Sequence, residues 1–130
     1  MTDVNHPLTR LLVVEDDADI RHLLQLCLAE VGGYEVDLCA SGLEALQHVP
    51  SSAPDLILMD VMMPGMDGPA TLTALRAAGC TTPVVFLTAK AQATEQAALM
   101  ATGALGVITK PFDPMGLADE VRRLWEARHA

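Results

Sequence analysis

Aromatic side chains are scarce: one Trp, one Tyr and two Phe in 130 residues. With so few rings the core must be aliphatic, and the stacking platforms that hold single strands or flavins are missing. Basic residues are few as well, eight Lys and Arg against seventeen Asp and Glu, for a formal net charge of −9. No basic face is expected to meet phosphate backbones or anionic lipid, which argues against direct nucleic-acid binding. The three cysteines, Cys27, Cys39 and Cys80, are odd in number and lack the paired spacing of zinc sites. Lying among apolar residues, they read as small buried hydrophobes in a reduced, cytoplasmic protein. Nor does any uncharged apolar run reach the ~18 residues of a bilayer span, and the polar first nine residues lack the apolar stretch of a signal peptide. The expectation is a protein with no membrane contact.

What is abundant is aliphatic: 51% of residues are hydrophobic, enough for one domain with a real core. Residues 1–9 read as a polar tail and residues 10–128 as the domain. Arg10 to Val14 ends in four consecutive aliphatic residues, the pattern of a strand buried on both faces. The acids Glu15, Asp16 and Asp17 stop it. Ile20, Leu23, Leu24, Cys27, Leu28 and Val31 then mark one face of a helix, closed by Gly32 and Gly33. Tyr34 to Cys39 predicts a second strand. Ser41 with Glu44 forms a capping-box pattern opening a helix that runs into Pro50.

The rhythm repeats with a strand over Asp55 to Met59, a Pro- and Gly-rich loop over Asp60 to Gly68, and a helix over Pro69 to Ala78. Pro83 to Leu87 predicts the fourth strand, Ala91 to Thr102 a weakly marked fourth helix, and Gly106 to Thr109 the fifth strand. Asp113-Pro114 begins a last helix with Leu117, Val121, Leu124 and Trp125 on one face. Five strands alternating with five helices predict an α/β domain of three layers, an open parallel sheet covered on both faces. Ligands of such sheets bind beyond the carboxyl ends of the strands.

That edge carries the chemistry. Glu15, Asp16 and Asp17 follow the first strand, Asp60 the third and Thr88 the fourth, while Lys110 closes the fifth. Clustered carboxylates repel, so a cation is needed to keep them ionised, and an all-oxygen set suits Mg²⁺. A lysine and a hydroxyl suit phosphoryl oxygens, and a neighbouring carboxylate can accept a phosphoryl group. Taken singly, each residue has a duller reading as a cap, a turn residue or a solvated charge. Those readings do not explain why all of them fall at successive ends of one sheet.

Val13-Val14-Glu15-Asp16-Asp17, the loop Leu58-Met59-Asp60-Val61-Met62-Met63-Pro64-Gly65-Met66-Asp67-Gly68, Leu87-Thr88-Ala89-Lys90 and Lys110-Pro111-Phe112 together resemble the receiver domain of two-component response regulators. The resemblance covers essentially the whole chain. It implies a flavodoxin-like fold with strand order 2-1-3-4-5 and a signalling domain that assists its own phosphorylation and dephosphorylation. Asp60 would be the phosphoacceptor, served by a sensor histidine kinase or a phosphotransfer protein. Glu15, Asp16, Asp60 and the Met62 carbonyl would hold Mg²⁺, with Glu15 acting through water. Thr88 and Lys110, with the backbone amides of Met62 and Ala89, would hold the phosphoryl group, and a cis peptide would precede Pro111. In this family an aromatic residue often stands three positions before the lysine and moves with the threonine; here that position is Val107. The resemblance further implies a monomer or a phosphorylation-dependent dimer, and with no basic recognition helix after the last helix the expectation is a receiver that stands alone or is cut from a larger regulator.

Competing chemistries fit less well. A haloacid-dehalogenase phosphatase needs a second Asp two residues after the nucleophile, where Met62 stands. A flavin carrier needs a phosphate loop where the three acids lie. A receiver used only for protein binding, without phosphorylation, is the remaining alternative.

Overall fold

A computed structural model of the chain describes residues 6–129. The sheet is built from β1 (Arg10–Val14), β2 (Glu35–Cys39), β3 (Leu56–Asp60), β4 (Val84–Thr88) and β5 (Gly106–Thr109). All pair in parallel, in the order β2-β1-β3-β4-β5. The helices are α1 (Ala18–Gln25), α2 (Gly42–Ser52), α3 (Gly68–Ala77), α4 (Ala93–Ala101) and α5 (Leu117–Glu126). No helix among the described residues is long and apolar enough to cross a membrane.

The central strands are buried on both faces, so alternate side chains enter different cores. Leu11, Val13, Leu56, Leu58, Val85 and Leu87 pack with Leu24 and Leu28 on one side and Leu117, Val121 and Trp125 of α5. Leu12, Val14, Ile57, Met59, Val84 and Phe86 face Ala45 and Val49 of α2, Leu72 and Leu75 of α3, and Leu99 of α4. Each large aliphatic side chain so buried is worth about 1.5–3 kcal/mol. Cys27 and Cys39 lie in these cores, and burial pushes both thiols above their ordinary value, Cys39 to about 11.

Several local expectations need correction. The first helix is not α-helical throughout: Leu26–Val31 is a π-helical stretch, which widens the turn and rotates the residues beyond it. Val31, expected on the buried face, is therefore exposed; Leu23, upstream in the regular turn of α1, is exposed as well, while Leu24, Cys27 and Leu28 are buried. At the end of that stretch Gly32 lets α5 come close, since a Cβ there would lie 2.7 Å from that of Ala118. Pro50 does not end α2, which continues to Ser52 and stops at Ala53 in a left-handed conformation (φ 45°). In the last turn Pro50 forfeits only its own amide bond, and the Ala53 amide still reaches the Val49 carbonyl. The last helix begins at Leu117 because Asp113 folds a turn first, its carbonyl accepting from the amides of Gly116 and Leu117.

Residues 6–9 are not a loose tail. Leu8 is buried in the first core, Thr9 bonds Asp55, and the His6 carbonyl accepts from the Trp125 indole at 2.9 Å. Residues 1–5 lie outside the described region.

Candidate functional site

β1 and β3 are neighbours in the sheet, so the residues at their carboxyl ends meet. Glu15 is buried just beyond β1, and Asp60, also buried, is the last residue of β3 rather than the first of the loop. Asp16 is exposed beside them, and one carboxylate oxygen from each of the three lies within 4.8 Å of the others. Asp17 takes no part in this group. Its side chain accepts from the amides of Asp19 and Ile20 and caps α1.

Lys110 arrives from the end of β5, its amide bonded to the Thr88 carbonyl at 2.7 Å. Its ammonium spans two acids, 3.0 Å from Asp60 and 3.1 Å from Glu15. Burial pushes the ammonium's proton affinity down, but the bonds to Asp60 and Glu15 outweigh it and the pKa is raised. For Glu15 burial dominates and raises the pKa, against the pull of Lys110 and of the Asp17 amide at 3.2 Å. One lysine against three carboxylates leaves the pocket short of positive charge. An all-oxygen donor set with an exposed member suits a hard divalent cation such as Mg²⁺.

Thr88 is the buried last residue of β4, and its hydroxyl accepts from the Lys90 amide at 3.0 Å. Met62 is largely exposed and, with Val61, Thr88, Lys90 and Leu99, lines a groove of 380 Å³. Ala89 lies on the other side, lining a second groove with Lys110 and Phe112. The Lys110-Pro111 peptide is cis. Val107 is half-buried against the second core, farther down β5.

Three contributors escaped the sequence reading. Gly68 admits the start of α3 against β3, because a Cβ there would lie 2.7 Å from the Asp60 carbonyl oxygen. Gln96 of α4 donates to the Thr109 hydroxyl at 3.0 Å, tying that helix to β5. Arg21 of α1 donates to the Glu15 carbonyl at 2.9 Å. Gly68 stood in the loop motif already singled out, and Arg21 had a signal of another kind, since helical side chains lean back over the turn before them.

Doubly wound domains of the flavodoxin-like class, with an acidic pocket at the carboxyl edge of the sheet, are what this fold and site define. Within that class the chain belongs to the response regulator receiver domains, whose family model matches residues 11–122. It is thus a signalling domain of the two-component type. The transcriptional regulatory protein DltR of Streptococcus agalactiae is 41% identical over 113 residues, 87% of this chain and 50% of that protein. The response regulator MprA of Mycobacterium ulcerans is 38% identical over 115 residues, 88% of this chain and 49% of its own. The chain thus spans about half the length of these curated relatives. Among solved structures, chemotaxis protein CheY4 of Vibrio cholerae superposes with a TM-score of 0.82 at 33% identity, covering 90% of this chain and 98% of that one. A Francisella response regulator receiver domain gives 0.83 at 30%, covering 91% and 97%.

Proposed function

We propose that the protein accepts a phosphoryl group on Asp60 from the phosphohistidine of a sensor histidine kinase or phosphotransfer protein, in a Mg²⁺-dependent reaction in the cytoplasm. The observation that carries this reading is the pairing of buried Asp60 with Lys110 at 3.0 Å, inside a group of three carboxylates. An Asp60 carboxylate oxygen attacks phosphorus, the P–N bond breaks, and its electron pair leaves with the imidazole, which takes up a proton. The product is an acyl phosphate on Asp60. Lys110 stays beside the added charge as a compact cation, and the Thr88 hydroxyl turns from the Lys90 amide to donate to a phosphoryl oxygen. Glu15, Asp16, Asp60 and the Met62 carbonyl would hold Mg²⁺, with Glu15 acting through water. When bound, the ion neutralises charge on the transferring oxygens. The amides of Met62 and Ala89 are the further donors.

The output is a changed protein-binding surface, presented by a monomer or by a dimer formed on phosphorylation. The transcriptional role in the name of DltR belongs to that longer protein, of which this chain matches the receiver half alone. Mass spectrometry after incubation with a small acyl phosphate and Mg²⁺ is the test. One phosphoryl group is expected on the wild type and none on Asp60→Asn. An unmodified wild type would leave a protein-binding module without phosphorylation, and an equal adduct on the variant would move the acceptor elsewhere.

A further inference from the structure

Arg21 stands on α1 one turn after the capping Asp17, and its side chain runs back over the loop that joins β1 to α1. Its Nη1 donates to the Glu15 carbonyl at 2.9 Å and reaches the Asp16 carbonyl at 3.4 Å. These two peptide units flank Asp16. The Glu15 carboxylate has anchors of its own in Lys110 and the Asp17 amide. Asp16 differs: its carboxylate is exposed and, among the described residues, has no hydrogen-bond or ion-pair partner. Its direction therefore depends on its backbone, and that backbone is gripped on both sides by one half-buried guanidinium.

We infer that Arg21 is a positioning residue, which aims Asp16 at the cation site through the Glu15 and Asp16 carbonyls and so sets the affinity for the divalent ion. The inference rests on the proposed role of the three carboxylates in holding Mg²⁺. Two consequences of losing Arg21 have opposite signs, which makes the idea testable. As a nearby positive charge, the guanidinium opposes a cation, and its removal would tighten binding. As a clamp it organises a ligand, and its removal loosens binding by about tenfold or more, the usual effect of losing a group that orients a metal ligand.

Calorimetric titration with Mg²⁺ alone separates these. Arg21→Met, which keeps the aliphatic stem without donors or charge, is expected to raise the Mg²⁺ dissociation constant about tenfold with the thermal midpoint little changed. Arg21→Lys, with the charge but no fork, is expected to fall between the two. Phosphorylation by an acyl phosphate should then need more Mg²⁺ for half-maximal rate, yet reach a similar rate at saturation. An unchanged or lower dissociation constant in Arg21→Met overturns the clamp, as does full rescue by Arg21→Lys. If Arg21→Met does not fold, Arg21→Lys decides alone, and a wild-type constant there sinks the idea. A wild type that takes up no Mg²⁺ would defeat the proposed function as well, so the two failures are told apart by the wild-type titration.

Discussion

Asp55 and Asp60 stand at the two ends of β3, and their surroundings differ in kind. Asp55 accepts from the Thr9 amide at 3.1 Å, the Thr9 hydroxyl at 2.9 Å, the Arg10 amide at 2.9 Å and the His6 ring at 3.1 Å. Burial pushes its carboxyl up, but these bonds win and hold its pKa below the ordinary value. Asp60 is more deeply buried, faces one lysine shared with Glu15, and lies among like charges. The acid whose acceptor sites are filled by the chain's own donors anchors the fold. The acid kept crowded and open to a cation is the one proposed to accept the phosphoryl group.

The comparison breaks first on stability. Asp55→Ala removes the shared acceptor of the Thr9 and Arg10 amides and the Thr9 hydroxyl, exposed donors that can turn to water, so a loss of about 1–2 kcal/mol is expected. Asp60→Ala removes a carboxylate from a repelling group and leaves Lys110 paired with Glu15. Its effect is expected to stay within about 1 kcal/mol, since the lost pairing and the relieved repulsion oppose each other. Urea unfolding of both variants decides, and equal losses would erase the distinction.

Acid sharpens the same contrast. A carboxyl whose folded pKa lies below its unfolded value contributes stability that is present above the unfolded value, about 3.9 for Asp, and is lost as pH falls through the folded one. Asp55 is such a group. Glu15, raised on folding, has the opposite sign: its ionisation costs stability as pH rises through its folded pKa. The gap between wild type and Asp55→Asn is therefore expected to be full at neutral pH and to close below about pH 4. Denaturant midpoints at several pH values give the answer, and a gap that widens in acid would contradict the assignment.

Much of this was legible in the chain itself, for reasons that differ by residue. Ser41 and Asp17 cap the helices that begin after them, and such caps are legible because they are decided within three or four residues. Asp60, Thr88 and Lys110 could be gathered into one site because a parallel sheet brings its strand ends to one edge. The two sides of Asp55 could not be foreseen, since its partners lie about forty-five residues earlier in the chain and residues 6–9 carry only one aliphatic side chain to announce that they pack. The π-helical stretch was invisible for another reason. An i, i+3, i+4 pattern assumes a constant turn, and widening it at Leu26 put Val31 on the wrong side.

At the reactive end, Met62 and Lys90 share a groove with Thr88. On the proposed function, a bulky thioether and a long cation there would shield an acyl phosphate on Asp60 from water. Met62→Ala and Lys90→Ala are each expected to shorten its lifetime about threefold, under 1 kcal/mol of barrier. Following loss of the phosphoryl mass with time tests this, and unchanged rates in both variants would remove shielding as an explanation.

The smallest effect expected is a change in motion, and it too should respect the two ends of β3. α4 has no side-chain cap and buries only Leu99, so it is held to β5 chiefly by the Gln96 bond to Thr109. If the proposed function holds, phosphorylation would draw the Thr88 hydroxyl inward and shift the loop entering this helix, while Val107 offers no swinging ring to absorb the change. The helix must then move or repack. Hydrogen exchange with and without beryllium fluoride as a phosphoryl mimic should show altered protection from about Thr88 to Gly103 and none from His6 to Arg10. Gln96→Ala should loosen α4 without the mimic, by about the 1 kcal/mol of one hydrogen bond. A response confined to the loop after Asp60 would mean that α4 does not carry the signal, and a response at the Asp55 anchor would mean that the two ends of the strand are not independent.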